Sequence, residues 1–478
     1  MKRTLSAFLC IIILFLSPIF SAATAGAAAS DETQWPGGPG VYADSAIVME
    51  ASTGLILYEK NMDDKNYPAS ITKIMTALLA IENSSLGEIV TFSKNAVFDV
   101  DLESSRIGID VGEQLTMQQC LYGILLASAN EVSYAVAEHI AGSVDAFVDM
   151  MNKKAKELGC TNTHFTNPHG LPDNDHYTTS HDMALITQAA MKNETFRKIF
   201  GTRTYQIPPT NIQPEARPLS NHHKFVLQDG HEYDDAIGGK TGYTSAAKYT
   251  LVTVAKRGDL ELICVIMRED TSKNQYGDTK KLLDYAFDNF SIYTVADLES
   301  TQVLSESPMF TRYNPLLSKA SSPLEIDKKG FLILPNSASF EDAAREVEFF
   351  SPGQDQAAAE TSAVSTAVQN IVGEISYSYG GKYVGGANIL YKADDTLRLA
   401  QNENPKNNPT TGPKETISEK AEKSSLRPII LGSIIGLFVL ILLLYFILVE
   451  RPRLKRRSAY YKKRARRKLY RDDDYLNL

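Results

Sequence analysis

The sequence predicts an α+β protein: an antiparallel sheet with a helix-rich middle, then a small β-rich domain, then one C-terminal transmembrane helix. Three observations predict it. Strand-like runs stand at both ends of residues 41–290 with helical periodicity between them, short strand-like pieces follow over 291–395, and residues 428–449 form an uncharged apolar run.

Residues 1–29 open with Lys2 and Arg3, continue in an apolar run from Ala7 to Phe20 and close in small residues from Ser21 to Ala29. That is the pattern of a secretory signal, with cleavage options at Ala23-Thr24-Ala25 and Ala25-Gly26-Ala27. Cys10 lies inside the apolar run and leaves with it. Cys120, Cys160 and Cys264 then remain, odd in number and without CxxC or CxH spacing, so they read as buried small hydrophobes. Residues 30–40, with Pro36-Gly37-Gly38-Pro39-Gly40, read as a flexible lead-in.

Over residues 41–290, Ser45 to Glu50 and Leu55 to Tyr58 form a hairpin joined through Ser52-Thr53-Gly54. Helical spacing dominates to about residue 200. From Lys240 to Met267 the pattern is strands, Tyr249 to Val254 turning at Arg257-Gly258-Asp259 into Leu262 to Met267, and a last helix spans Thr279 to Asn289. Residues 291–395 contain Gly330 to Leu334 and the pair Val372 to Tyr377 and Lys382 to Gly385 around Gly380-Gly381.

Residues 396–427 are rich in Asn, Pro, Thr, Glu, Lys and Ser, the composition of a disordered linker. The uncharged run from Pro428 to Val449 has the length of a bilayer span, and residues 450–478 follow as a basic tail. Twelve Lys and Arg against three Asp from Arg451 onward place that tail in the cytoplasm and the rest of the mature chain outside. The formal charge of −8 therefore hides a tail of about +9, and the remaining acidic chain offers no basic surface for nucleic acid.

Three short motifs carry the chemistry. Ser70-Ile71-Thr72-Lys73 opens a helix whose stripe is Ile71, Ile74, Met75, Leu78 and Leu79, so Ser70 and Lys73 lie on neighbouring positions of its first turn. A serine hydroxyl needs a base to become a nucleophile, and a lysine serves only when burial or another cation lowers its pKa. Ser-x-x-Lys alone is weak, since Ser245-Ala246-Ala247-Lys248 also matches. Ser128-Ala129-Asn130 sits at a helix junction, where Ser and Asn also serve as helix caps. Lys240-Thr241-Gly242, preceded by Gly238-Gly239, leads into the strand region, where a turn is the simpler explanation. In this order the three form the set found in penicillin-interacting enzymes.

With Glu50-Ala51-Ser52-Thr53-Gly54, Leu57-Tyr58, Asn167-Pro168-His169-Gly170-Leu171 and Leu282-Leu283-Asp284-Tyr285-Ala286-Phe287, the chain resembles the serine D-alanyl-D-alanine carboxypeptidases among the low-molecular-mass penicillin-binding proteins, from about Tyr42 to Asp394. The resemblance implies a catalytic domain of the β-lactamase/D,D-peptidase fold. It implies that Ser70 is acylated by the stem peptide of peptidoglycan, with Lys73 as base and with Ser128 and Asn130 relaying a proton and holding the substrate amide. Lys240 and Thr241 would meet the terminal carboxylate beside Gly242, and the amides of Ser70 and Tyr243 would form the oxyanion hole. β-Lactams would be trapped at the same serine, and no cofactor is implied. The chain departs from the family pattern at Lys248, where glycine is usual, which puts local strand packing in question or adds charge near the site.

His164, His169, His176 and His181 match no zinc-binding spacing. A β-lactamase or esterase on the same scaffold, and a non-catalytic receptor for penicillin or wall peptide, are the competing readings.

Overall fold

The computed structural model describes residues 35–101, 103–227, 233–300, 324–350 and 371–391. The expected signal, linker, membrane span and tail lie outside them. Among the described residues no helix is long and apolar enough to cross a membrane.

The chain opens with β1 (Ser45–Glu50) and β2 (Ile56–Lys60), then a 3₁₀ turn over Ala69–Thr72 that runs into α1 (Lys73–Asn83). A helical region follows. It comprises β3 (Ile89–Thr91), α2 (Lys94–Phe98), β4 (Gln114–Thr116), α3 (Met117–Leu125), α4 (Asn130–Ala141), α5 (Val144–Glu157), α6 (Ser180–Met191) and α7 (Glu194–Phe200). After the small hairpin β5 (Thr204–Ile207) and β6 (Arg217–Ser220) and the turn of helix α8 (Lys224–Leu227), the chain returns to the sheet. There it adds β7 (Ala236–Thr244), β8 (Lys248–Arg257) and β9 (Leu260–Glu269), and α9 (Ser272–Asn289) closes the unit.

The strands form one antiparallel sheet in the order β2-β1-β9-β8-β7. Its central strand explains why Leu262 to Met267 reads as a continuous apolar run rather than an alternation. Ile263, Val265 and Met267 face the core of the helical region, while Leu262, Cys264 and Ile266 face a second core under α9. A strand covered on both faces has no polar side to show. Each of the aliphatic and Met side chains among them contributes about 1.5–3 kcal/mol by leaving water, which makes this strand the seam of the domain.

Helix starts follow their caps. Thr116 and Gln119 close a capping box at α3, and Thr271 caps α9 by accepting the Asn274 N–H. The second cap explains why α9 begins at Ser272, well before the helix start expected at Thr279. Its Leu282, Leu283, Tyr285 and Phe287 side chains are all buried. α1 is buried from Lys73 through Ala80, as suits a helix packed on all sides by others.

A second sheet, in the order β10-β12-β15-β14-β13 with β11 on β15, is built from β10 (Phe290–Thr294), β11 (Leu324–Ile326), β12 (Phe331–Pro335), β13 (Ala344–Phe349), β14 (Ile371–Tyr379) and β15 (Lys382–Tyr391). The turn at Gly380-Gly381 is made with both glycines at positive φ, the hairpin geometry their pairing predicts. β10 begins at Phe290 directly from α9, and Phe290 packs with Tyr285 in the core under α9. The lead-in differs from expectation. Residues 36–39 are pinned rather than loose, since Tyr285 Oη donates to the Pro36 carbonyl at 2.7 Å and Tyr58 Oη to the Pro39 carbonyl at 3.1 Å.

Cys120, Cys160 and Cys264 are free and buried, and burial pushes their thiols up. They act as apolar filling.

Candidate active site

Ser70 sits in the 3₁₀ turn rather than in the first turn of an α-helix. The turn is strained and externally braced. Ala69, just before the serine, has φ +51°, a left-handed value that non-glycine residues adopt at a cost. Thr250 of β8 donates its hydroxyl to the Pro68 carbonyl at 2.8 Å, which fastens the turn to the sheet. Gly242 of β7 passes so close that a β-carbon there would stand 2.9 Å from the Ser70 nitrogen and 2.4 Å from Thr250 Oγ1. Any side chain at 242 would push the strand off the serine.

Three residues later the chain has entered α1, and the Lys73 side chain turns inward with no solvent exposure. Its Nζ lies 3.0 Å from Ser70 Oγ, 2.5 Å from Asn130 Oδ1 and 2.7 Å from the His169 carbonyl. Burial first, and the charge of Lys240 second, hold its ammonium well below the usual lysine range. Once deprotonated, Nζ keeps two N–H donors for Asn130 and His169 and turns its lone pair toward Ser70 Oγ. That is the arrangement of a general base beside its nucleophile.

The Ser128-Ala129-Asn130 junction does not cap α4. The capping position is Ala129, whose methyl group cannot accept a hydrogen bond. Ser128 instead has φ +61° and a buried hydroxyl with no hydrogen-bond partner among the described residues, while Asn130 faces Lys73. A strained backbone and an unsatisfied hydroxyl are costs that a cap would not carry.

Lys240-Thr241-Gly242 lies inside β7 rather than in a turn before it, with Lys240 opposite Val252 and Thr241 opposite Leu251 of β8. Among the described residues β7 is the outer strand, and its far edge has no strand partner. Lys240 is 1% exposed, its Nζ donates to the Thr241 carbonyl at 3.0 Å, and burial lowers its pKa to about 7. Tyr243, the next residue after Gly242, is 59% exposed and its ring leans on Tyr249 at 4.6 Å between centroids.

All the expected site residues thus fall on three elements that converge: the 3₁₀ turn with α1, the α3–α4 junction, and β7. Ser245 to Lys248, the second Ser-x-x-Lys match, forms the turn between β7 and β8 and opens no helix. Lys248 itself has φ +56°, which explains why a glycine would be at ease there. Its charge is met by Asp270 at 2.5 Å on the protein surface.

The loop from Asn167 to Leu171 was legible as a motif but not as part of the site. It supplies the His169 carbonyl to Lys73 and is tied to α1 a second time by Thr76 Oγ1, which donates to the Pro168 carbonyl at 2.6 Å. Asn167 Oδ1 accepts the Gly170 N–H at 2.7 Å and so shapes the loop from within. Below it, His176 accepts the Thr166 N–H at Nδ1 and therefore donates from Nε2 to Thr72 Oγ1 at 3.0 Å. Burial holds this imidazole down to about 3, so it stays neutral with both ring nitrogens engaged in hydrogen bonds. Glu131, next to Asn130 and fully buried, is a further residue missed in the sequence. An acid directly after Ser-x-Asn, at the start of an apolar helix, was the available signal.

Residues 32–271 match the family model described as D-alanyl-D-alanine carboxypeptidase. The chain is 36% identical over 296 residues to the D-alanyl-D-alanine carboxypeptidase DacF of Bacillus subtilis, which covers 61% of this chain and 73% of that protein. It is 29% identical over 393 residues to DacA of Haemophilus influenzae, covering 80% of this chain and 92% of the relative. Penicillin-binding protein 5 from Haemophilus influenzae superposes with a TM-score of 0.57 at 25% identity, over 75% of this chain and 99% of that structure. The match spans both sheets, and with the site geometry it leads to one conclusion: the chain belongs to the D-alanyl-D-alanine carboxypeptidase family of serine peptidases.

Proposed function

We propose that Ser70 is the residue through which this D-alanyl-D-alanine carboxypeptidase shortens peptidoglycan stem peptides. The stem lies along the free edge of β7 with its terminal carboxylate toward Lys240 and Thr241. Lys73 takes the Ser70 proton as Oγ adds to the carbonyl carbon of the penultimate D-Ala, and the oxyanion receives the amides of Ser70 and Tyr243. Collapse of the adduct breaks the peptide bond, the leaving nitrogen takes a proton by way of Ser128, and D-Ala departs. Asn130 holds the substrate amide. Water then cleaves the Ser70 ester and restores the hydroxyl. A β-lactam acylates the same oxygen and, with no small leaving group to make room for water, stays.

The observation that carries this assignment is the threefold hydrogen bonding of a fully buried Lys73 Nζ to Ser70, Asn130 and His169. Intact-mass spectrometry of the full-length chain with benzylpenicillin, and separately with a D-Ala-D-Ala stem peptide, tests it. A persistent penicilloyl adduct and D-Ala release, both absent in Ser70→Ala, are expected. A folded wild-type chain that gives neither would move the non-catalytic receptor to the front, and rapid release of hydrolysed penicillin would favour a β-lactamase.

The catalytic domain works on the outer face of the plasma membrane in this proposal, exported by residues 1–29 and held by a helix over 428–449 with its basic tail inside. Support comes from the apolar run and the Lys and Arg that follow it. Protease added to intact cells should remove the catalytic domain and leave a membrane-bound fragment carrying the tail. Recovery of the intact chain in the soluble fraction would overturn the anchor.

A further inference from the structure

A buried carboxylate without a part in the steps above lies beside the site. Glu131 is the second residue of α4, directly after Asn130. Its Oε1 accepts the backbone N–H groups of Ile107 at 2.7 Å and Gly108 at 3.2 Å, whereas its Oε2 is buried and has no hydrogen-bond partner among the described residues. The same segment is held once more, because the Asn130 N–H donates to the Ser105 carbonyl at 2.9 Å. Arg106, between these tied residues, sends its guanidinium to the Val97 carbonyl at 2.7 Å and the Val100 carbonyl at 3.3 Å.

A buried carboxylate with one unpartnered oxygen is a costly way to make two backbone hydrogen bonds. A glutamine would make both with its amide oxygen and bury no charge. What an acid adds is therefore the charge itself. Burial leaves the Glu131 pKa raised, while the Ile107 N–H, its own backbone N–H, the charge of Arg106 and the Gly108 N–H pull it back toward the anion.

The groups that sense Lys73 come from every side. The charges of Lys240 on β7 and Glu131 on α4 act on it in opposite directions, while His169 in the 167–171 loop, His176 and His222 feel its charge. Among these groups Glu131 is the one acid.

We infer that Glu131 is a positioning residue that fastens the 105–108 segment to the start of α4, holding Asn130 against Lys73, and that its negative charge offsets the burial of the Lys73 ammonium. The inference rests on Lys73 acting as the base for Ser70.

Two variants separate the clamp from the charge. Glu131→Gln keeps an acceptor for Ile107 and Gly108 and removes the charge; Glu131→Asp keeps the charge on a side chain too short to reach both. The pH dependence of kcat/KM for D-Ala release, measured on the full-length chain, reads the protonation of Lys73 as the acid limb. Loss of the anion destabilises protonated Lys73, so the Gln limb should move to lower pH by about half a unit or more. The Asp limb should stay at the wild-type position while kcat falls.

A Gln limb superimposed on wild type, or an Asp limb displaced as far as the Gln limb, overturns the charge role. If Glu131→Gln does not fold, the Asp limb decides: at the wild-type position it supports the inference, displaced it removes it. A wild-type chain that takes no penicilloyl group instead overturns the role of Ser70 and Lys73, on which this inference stands.

Discussion

Gly170 lies against the turn that carries the nucleophile so closely that a β-carbon at 170 would stand 1.8 Å from the Ala69 carbonyl oxygen. Its φ of +90° is likewise closed to most side chains. The loop that presents the His169 carbonyl to Lys73 and the turn that presents Ser70 are thus fitted to each other through one residue without a side chain. Gly170→Ala is expected to destabilise the fold by about 3 kcal/mol, from backbone strain and overpacking together. Chemical denaturation with benzylpenicillin acylation checks it, and wild-type values for both would show that the loop is not fixed on the turn.

Ser128→Ala separates stability from chemistry. The hydroxyl is buried without a partner, so its removal should leave the midpoint of thermal unfolding unchanged or slightly higher. Acylation should nevertheless fall by about 100-fold or more, the usual size of a lost proton-transfer step. A large loss of stability would mean that the hydroxyl has a structural partner and the proton route must be sought elsewhere.

Lys240 should cost the fold stability at neutral pH. Its pKa is lowered by burial to about 7, so between the unfolded value near 10.5 and about 7 the unfolded chain binds a proton that the folded chain does not. Stability therefore rises with pH across that window, and the cost is largest below it. Lys240→Met should raise stability at pH 7 by on the order of a few kcal/mol, with the gain shrinking toward pH 10.5, and should weaken binding of substrates that end in a carboxylate. A variant less stable than wild type at pH 7 would count against a strained, buried amine.

Lys248→Gly restores the residue type that a left-handed position favours. Relief of the φ +56° backbone should contribute about 1 kcal/mol. The exposed pair with Asp270 that is lost is worth about 0–1 kcal/mol. A small net stabilisation, seen as a higher urea midpoint with unchanged kcat, is expected. A drop in kcat would give the lysine a role at the site.

The sequence reached the right family because the chemistry-bearing residues lie in three compact motifs, each short enough to read locally. It located the sheet as well, since Tyr249 to Val254 and Leu262 to Met267 are long β-branched runs around a single turn. Local pattern served less well where a long-range contact overrides it. Ser70 stands in a 3₁₀ turn because Thr250 and Gly242, far along the chain, hold it there, and no periodicity within residues 68–79 records that contact. Lys240 lies within a strand because β8 pairs with it, although Gly238-Gly239 reads as a turn.

What the sequence by itself determined was the identity of the reacting groups and the order in which they occur. Only the tertiary structure decided their electrostatics. Lys73 and Lys240 are ordinary exposed-looking lysines until the α3–α4 junction, the 167–171 loop and β7 close around them and remove the water that would keep both charged. Glu131 and the His169 carbonyl enter the site by the same closure, because desolvation and distance are properties of the packed molecule and not of any segment of the chain.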